Sequence, residues 1–76
     1  MNTIFNDTLT RADVIYDYSG VWTRRNGGID WKAIVRNADV ICRPSGTLED
    51  DALTDQQVGE VIRQLVSVSI DDASGQ

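Results

Sequence analysis

Three segments of this chain share one local grammar, and that grammar constrains its fold more than any other feature. They read Leu9-Thr10-Arg11-Ala12-Asp13-Val14, Ile29-Asp30-Trp31-Lys32-Ala33-Ile34 and Leu53-Thr54-Asp55-Gln56-Gln57-Val58. Each places an apolar residue before a Thr or Asp and a second apolar residue four positions after it. This is the signature of a helix start. The Thr or Asp oxygen accepts a hydrogen bond from a free backbone N–H of the first turn, and the two apolar residues staple the entering chain. Gln57, three residues after Thr54, completes a capping box, and Asp13 after Thr10 is its weaker counterpart.

The residues that follow fit the same reading. Trp31, Ile34, Val35, Ala38, Ile41 and Cys42 recur at helical spacing and form one apolar stripe. Pro44 ends that stripe, because the residue before a proline avoids the helical region. Val58, Val61, Ile62, Leu65, Val66 and Ser69 repeat the pattern with Gly59 inside it. Val14, Ile15, Tyr18, Val21 and Trp22 follow a weaker helical period that stops at Asn26-Gly27-Gly28. The chain is therefore expected to be all-α, a compact three-helix domain with helices near 10–25, 30–43 and 54–69. Its predicted core is Val14, Ile15, Tyr18, Trp22, Trp31, Ile34, Val35, Ala38, Ile41, Val58, Val61, Ile62 and Leu65.

A rival reading has its own signals. Val14-Ile15-Tyr16 favours a strand, Ser19-Gly20 interrupts the first helix, and Asn26-Gly27 is a hairpin turn dipeptide. On that reading the fold is α+β, with an N-terminal β-hairpin (strands 13–24 and 29–35) packed on a C-terminal helix. Val66–Ile70 alternates with period two and could be extended. The tetrapeptide Ala12-Asp13-Val14-Ile15 recurs as Ala38-Asp39-Val40-Ile41, and Ser19-Gly20 as Ser45-Gly46, each 26 positions on. With no similarity outside these residues, the recurrence reads as coincidence rather than as a duplicated unit.

Length and composition bound the function. The 76 residues suffice for a single domain, 1–76, with polar ends at 1–8 and 71–76 that are expected to be loose. The chain has no His and a single Cys, which leaves no His-based triad, no disulfide framework and no zinc site of the usual kinds. No apolar run exceeds three residues, so no membrane span and no leader are expected, and a cytoplasmic location follows. Cys42, on the apolar stripe, reads as a buried, unreactive thiol. No cofactor, metal or catalytic set is indicated, and no enzyme is expected.

Charge is where a partner becomes visible. The chain carries seven Lys and Arg against twelve Asp and Glu, for a net charge of -5. Residues 1–43 hold six cations against five anions, whereas residues 44–76 hold only Arg63 against seven anions. Two candidate surfaces follow. One is acidic: Glu49, Asp50, Asp51, Asp55 and Glu60. The other is basic and aromatic: Tyr16, Arg24, Arg25, Lys32, Arg36 and Arg43, with Asp39 placed to pair with Arg36 or Arg43. The expected function is a non-enzymatic protein-binding module that occupies a surface of a larger protein, one with a basic patch to meet the acidic residues. A narrower version is an inhibitor of the kind carried by phages or mobile elements, in which acidic residues mimic nucleic acid on a defence or transcription complex. A third is a helix-turn-helix DNA-binding regulator using residues 30–43, which the net negative charge disfavours. A homodimer would cover an apolar face left open by such short helices.

Overall fold

A computed structural model of the chain describes residues 2–74. Within residues 2–48 the chain is mostly extended, and along its strands side chains alternate between two faces with a period of two. Strands β1 (Asn2–Arg11) and β2 (Val14–Arg25) pair antiparallel, from Asn2 opposite Thr23 to Arg11 opposite Val14. Ala12 and Asp13 turn the chain between them with φ of 51° and 65°. Two successive positive values are what a two-residue type I′ hairpin turn requires. Strand β3 (Gly28–Asn37) returns along β2 after Asn26-Gly27, with Gly27 at φ 88°. Gly20 is obligatory in β2, since a Cβ there would lie 2.0 Å from the Lys32 carbonyl oxygen.

The fourth position of the sheet is a broken strand. Ala38, at φ 66°, reverses the chain into β4 (Asp39–Cys42), and β5 (Ser45–Leu48) follows Pro44. Both pair with β3, and the Ala33 N–H donates to the Pro44 carbonyl across the break at 2.9 Å. The register slips at Val35/Arg36, which is a β-bulge. The sheet therefore runs β1-β2-β3-(β4, β5).

Helix α1 (Asp55–Ser74) covers one face of this sheet. Its start is the capping box read from the sequence. The Gln57 N–H donates to Thr54 Oγ1 at 3.2 Å, and the Thr54 N–H donates to Gln57 Oε1 at 2.9 Å. Val58, Ile62, Val66 and Ile70 fall four residues apart and are fully buried. They meet Leu9, Tyr16, Tyr18, Trp22, Ile29, Trp31, Ala33 and Val35 from β1, β2 and β3. Three cations tie the layers together: Arg63 reaches Asp7 and the Thr8 carbonyl, Arg11 reaches Ser67 and Asp71, and Arg24 reaches Asp55 and the Asp51 carbonyl.

This overturns the all-α expectation. The helices proposed near 10–25 and 30–43 are strands, and the chain is not a helical domain. Only the third helix stands, extended to Ser74, and Val66–Ile70 lies within it. The α+β alternative, a hairpin packed on a C-terminal helix, fits, with three further strands added: the long β1 and the short β4 and β5. A helix-turn-helix has no second helix to use. Residues 2–8 lie in β1 and 71–74 in α1, while 1, 75 and 76 lie outside the described residues. The predicted core is corrected in the same way. Ile15 is 64% exposed, Ile34 lies on the uncovered face, and Ala38 and Ile41 are exposed. Tyr16, proposed as an interface residue, is buried under α1, because even-numbered residues of β2 face the helix.

Candidate functional site

The sheet has two faces and one helix, so one face is left to solvent. Register identifies its residues. From Ile4 opposite Val21, Val21 opposite Lys32 and Lys32 opposite Ser45, one row crosses all four positions. The next row runs Asn6, Ser19, Ile34 and on to Arg43, and the next Thr8, Asp17, Arg36 and Val40. Among the described residues no element packs on these side chains.

The basic residues singled out in the sequence separate on this frame. Lys32, Arg36 and Arg43 come together, although by strand alternation and not by a helical turn. Lys32 and Arg36 flank Ile34 on β3, and Arg43 follows β4 beside them, a diagonal neighbour of both at about 7–8 Å. All three are exposed, and among the described residues none has an ion-pair partner. Asp39 pairs with neither arginine. A shallow depression of about 440 Å³ opens between Lys32 and Arg43, with Ser19, Val21, Ile34 and Ser45 in its lining.

Arg25 shares this face but is spent on Asp30 at 2.8 Å. The guanidinium, together with a hydrogen bond from Thr47, holds the Asp30 carboxyl below its ordinary range, and Asp30 in turn raises Arg25. Arg24 is on the opposite face, over the Trp22 ring at 5.4 Å. The two basic neighbours therefore have separate roles, as adjacent residues of a strand must.

The acidic set is largely committed to the fold. Asp51 accepts from the Gly27 N–H at 2.8 Å, and Asp50 accepts from the Ala52 N–H at 2.9 Å. Asp55 pairs with Arg24 at 3.2 Å. Glu49 and Glu60 are exposed at separate places, in the β5–α1 loop and on α1. Together Asp51, Asp55 and Arg24 pin the loop and the helix start to the Asn26-Gly27 hairpin.

Sequence reasoning missed the apolar part of the open face. Ile4 is 82% exposed, and Ile15, Val40 and Ile41 are exposed as well. The signal was the alternation Ile29, Trp31, Ala33, Val35 against Asp30, Lys32, Ile34, Arg36, which assigns Ile34 to the charged face. All five aromatic residues occupy the helix-facing side, and none stands on the open face. Cys42 points toward the core from β4, half-buried, and burial pushes its thiol pKa up. Among the described residues no group of three or more Cys, Asp or Glu could hold a metal ion, and no helix is long and apolar enough to cross a membrane.

Counted by face, four cations (Arg25, Lys32, Arg36, Arg43) meet two carboxylates (Asp17, Asp30) on the open side, an excess of two positive charges. The chain as a whole carries -5, so everything else carries -7. The arrangement offers a basic, partly apolar surface on an otherwise acidic molecule. No family model, no curated protein and no solved structure matches the chain.

Proposed function

We propose that the chain is a non-enzymatic binding module whose docking surface is the open face of the sheet, and that its partner is an acidic, partly apolar protein surface. The observation that carries this reading is the set Lys32, Arg36 and Arg43. They are three exposed cations grouped around Ile34, without an ion-pair partner among the described residues and on a face that no described element covers. Cations serving only solubility are usually dispersed among acids, as Arg25 and Asp30 are here. Isoleucine and valine set among unpaired cations instead match the composition of a contact surface, where the apolar patch supplies affinity and the charges supply orientation and rate.

Two features favour protein over nucleic acid. Single strands are held by bases stacked on aromatic side chains, and this face has none. Duplex binding draws its affinity from several net positive charges, and a domain at -5 repels the phosphates that its one basic face attracts. The acidic residues are the weaker candidate surface, because Asp50, Asp51 and Asp55 already hold the loop and the helix start.

The test uses two labelled probes of equal charge, a Glu- and Leu-containing peptide and a DNA oligonucleotide, followed by fluorescence anisotropy at low ionic strength. The peptide should bind, and Lys32→Glu with Arg43→Glu should abolish binding without shifting the thermal midpoint. Neutralising Glu49 and Glu60 should leave binding unchanged. Tighter binding of the oligonucleotide, or peptide binding that survives the double reversal, would refute the reading.

A further inference from the structure

The two edges of the sheet are guarded differently. Unpaired strand edges invite pairing with other chains, and proteins blunt them with short strands, bulges, prolines and charges. The β4–β5 edge has every one of these. It comprises two four-residue strands, the Val35/Arg36 bulge, Pro44 and Arg43. The β1 edge is ten residues long, keeps one unbroken register with β2, and contains neither Pro nor Lys.

The β1 edge is guarded only at its far end. Arg11 and Val14 close the two-residue hairpin and face each other as a hydrogen-bonded pair. Alternation then turns the N–H and C=O groups of even-numbered β1 residues outward. At Thr8 these outward groups are taken: the N–H donates to Asp7 Oδ1 at 2.8 Å, and the C=O accepts from Arg63 at 3.0 Å. At Asn2, Ile4 and Asn6, and at Thr10 cut off beyond Thr8, no side chain among the described residues reaches them. The open stretch is thus Asn2-Thr3-Ile4-Phe5-Asn6, uncharged throughout and centred on the most exposed large apolar residue among the described residues.

We propose that this stretch pairs antiparallel with the same stretch of a second copy, about a twofold axis through Ile4. The sequence is self-complementary around that axis. Asn2 falls opposite the other copy's Asn6, Thr3 opposite Phe5, and Ile4 opposite Ile4. Two Asn–Asn amide pairs flank an Ile–Ile contact, and no like charges meet. An isologous contact closes after two copies and leaves no growing edge, since the opposite edge is blunted. The twofold lies perpendicular to the sheet, so both helices fall on one side and both open faces on the other. The two Lys32/Arg36/Arg43 sets then share one continuous surface, with β3 about 24 Å from its twin at five strand spacings. The pairing does not depend on the function proposed for that surface.

Sedimentation velocity from micromolar to about millimolar chain tests it. The wild-type chain should show a concentration-dependent dimer. Ile4→Lys places two ammonium groups at the axis and should sediment as a monomer throughout; at chain concentrations where wild type is also monomeric its thermal midpoint should be unchanged, because Ile4 contributes no core contact. Lys32→Glu with Arg43→Glu should dimerise like wild type. In a Cys42→Ser background, Ile4→Cys should form a disulfide-linked dimer on mild oxidation, since hydrogen-bonded partners place their Cα atoms about 5.5 Å apart. Thr10→Cys, on the guarded end, should not. A wild-type chain that stays monomeric, or equal cross-linking through Thr10→Cys, would overturn the proposal.

Discussion

The β1–β2 turn gives a substitution whose sign differs between a strand hairpin and a helix. Ala12 and Asp13 hold φ of 51° and 65°, a conformation that costs a residue with a Cβ about 1–2 kcal/mol. Asn tolerates it through local hydrogen bonds, and Gly at no steric cost. Ala12→Asn should recover about 0.5–1 kcal/mol. Asp13→Gly recovers less, because Asp already tolerates the region and Gly adds about 0.5–1 kcal/mol of chain entropy to the unfolded state. The double variant should therefore be stabilised by about 1 kcal/mol, which in a domain of this size raises the thermal midpoint by about 4–8 °C. A helix beginning near residue 10 predicts the reverse, a loss of about 1 kcal/mol, since Asn is a poorer helix former than Ala and Gly a poorer one than Asp. Urea titration and thermal melts followed by circular dichroism read both magnitude and sign. Ala12→Val is the control, because a β-branched residue at that φ should destabilise by about 1 kcal/mol or more. A destabilised Asn-Gly variant, or an indifferent Ala12→Val, would refute the turn geometry.

Other substitutions test separate joints of the structure. Gly20→Ala should cost at least about 2 kcal/mol in urea titration, because its Cβ would overlap the Lys32 backbone and neither strand can retreat without losing ladder bonds; a cost below about 0.5 kcal/mol would contradict the close approach. Thr54→Ala should lose about 1 kcal/mol, and adding Gln57→Ala should cost less than the two singles together, since their hydrogen bonds form one reciprocal pair. Asp30 supplies a pH dependence. Its folded pKa lies below the unfolded one, so its contribution is present above the ordinary carboxylate range and is lost as pH falls through the depressed value. Asp30→Asn should flatten that part of the acid limb in urea midpoints compared with wild type, and an unchanged limb would show that the Arg25 and Thr47 contacts carry no stability.

Parts of this fold were legible because the chemistry was local. Thr54 and Gln57 state a helix start within four residues, and nothing distant can alter it. Asn26-Gly27 states a hairpin in two. The error over residues 10–43 came from residues that serve different faces. Trp31 and Val35 point into the core and Ile34 points to solvent, yet together they occupy helical spacing. Leu9 and Val14 imitate a staple because a turn brings the ends of two strands together. The turns escaped notice for a related reason. Alanine is outside the usual alphabet for left-handed positions, so the recurrence of Ala-Asp-Val-Ile at 12 and 38 looked accidental. Both copies stand where the chain reverses, at Ala12 and at Ala38. The basic set was found for an incomplete reason, since Lys32 and Arg36, four apart, share a face in a helix and in a strand alike. Arg24 and Arg25 could not be separated without knowing that the segment was extended.

The residues that obscured the fold are the same ones that nominate the surface. A strand built for one buried and one wet face alternates cleanly, apolar against polar. Here Ile4, Ile15, Val21, Ile34, Val40 and Ile41 break the alternation on the side that α1 does not cover. Ile4, Ile15, Val40 and Ile41 stand exposed and Val21 and Ile34 are only half-buried, so folding alone does not explain why six β-branched apolar residues stand beside Lys32, Arg36 and Arg43. A contact surface does, because apolar area that is idle in the free chain becomes buried in a complex. Stability and binding should then separate along the two faces. Replacing Ile34 or Val21 by Thr keeps strand propensity and leaves Val58, Ile62 and Val66 in place, so the fold should persist while binding weakens. Truncating Ile62 should do the opposite to the fold, and affect binding only through loss of folded protein.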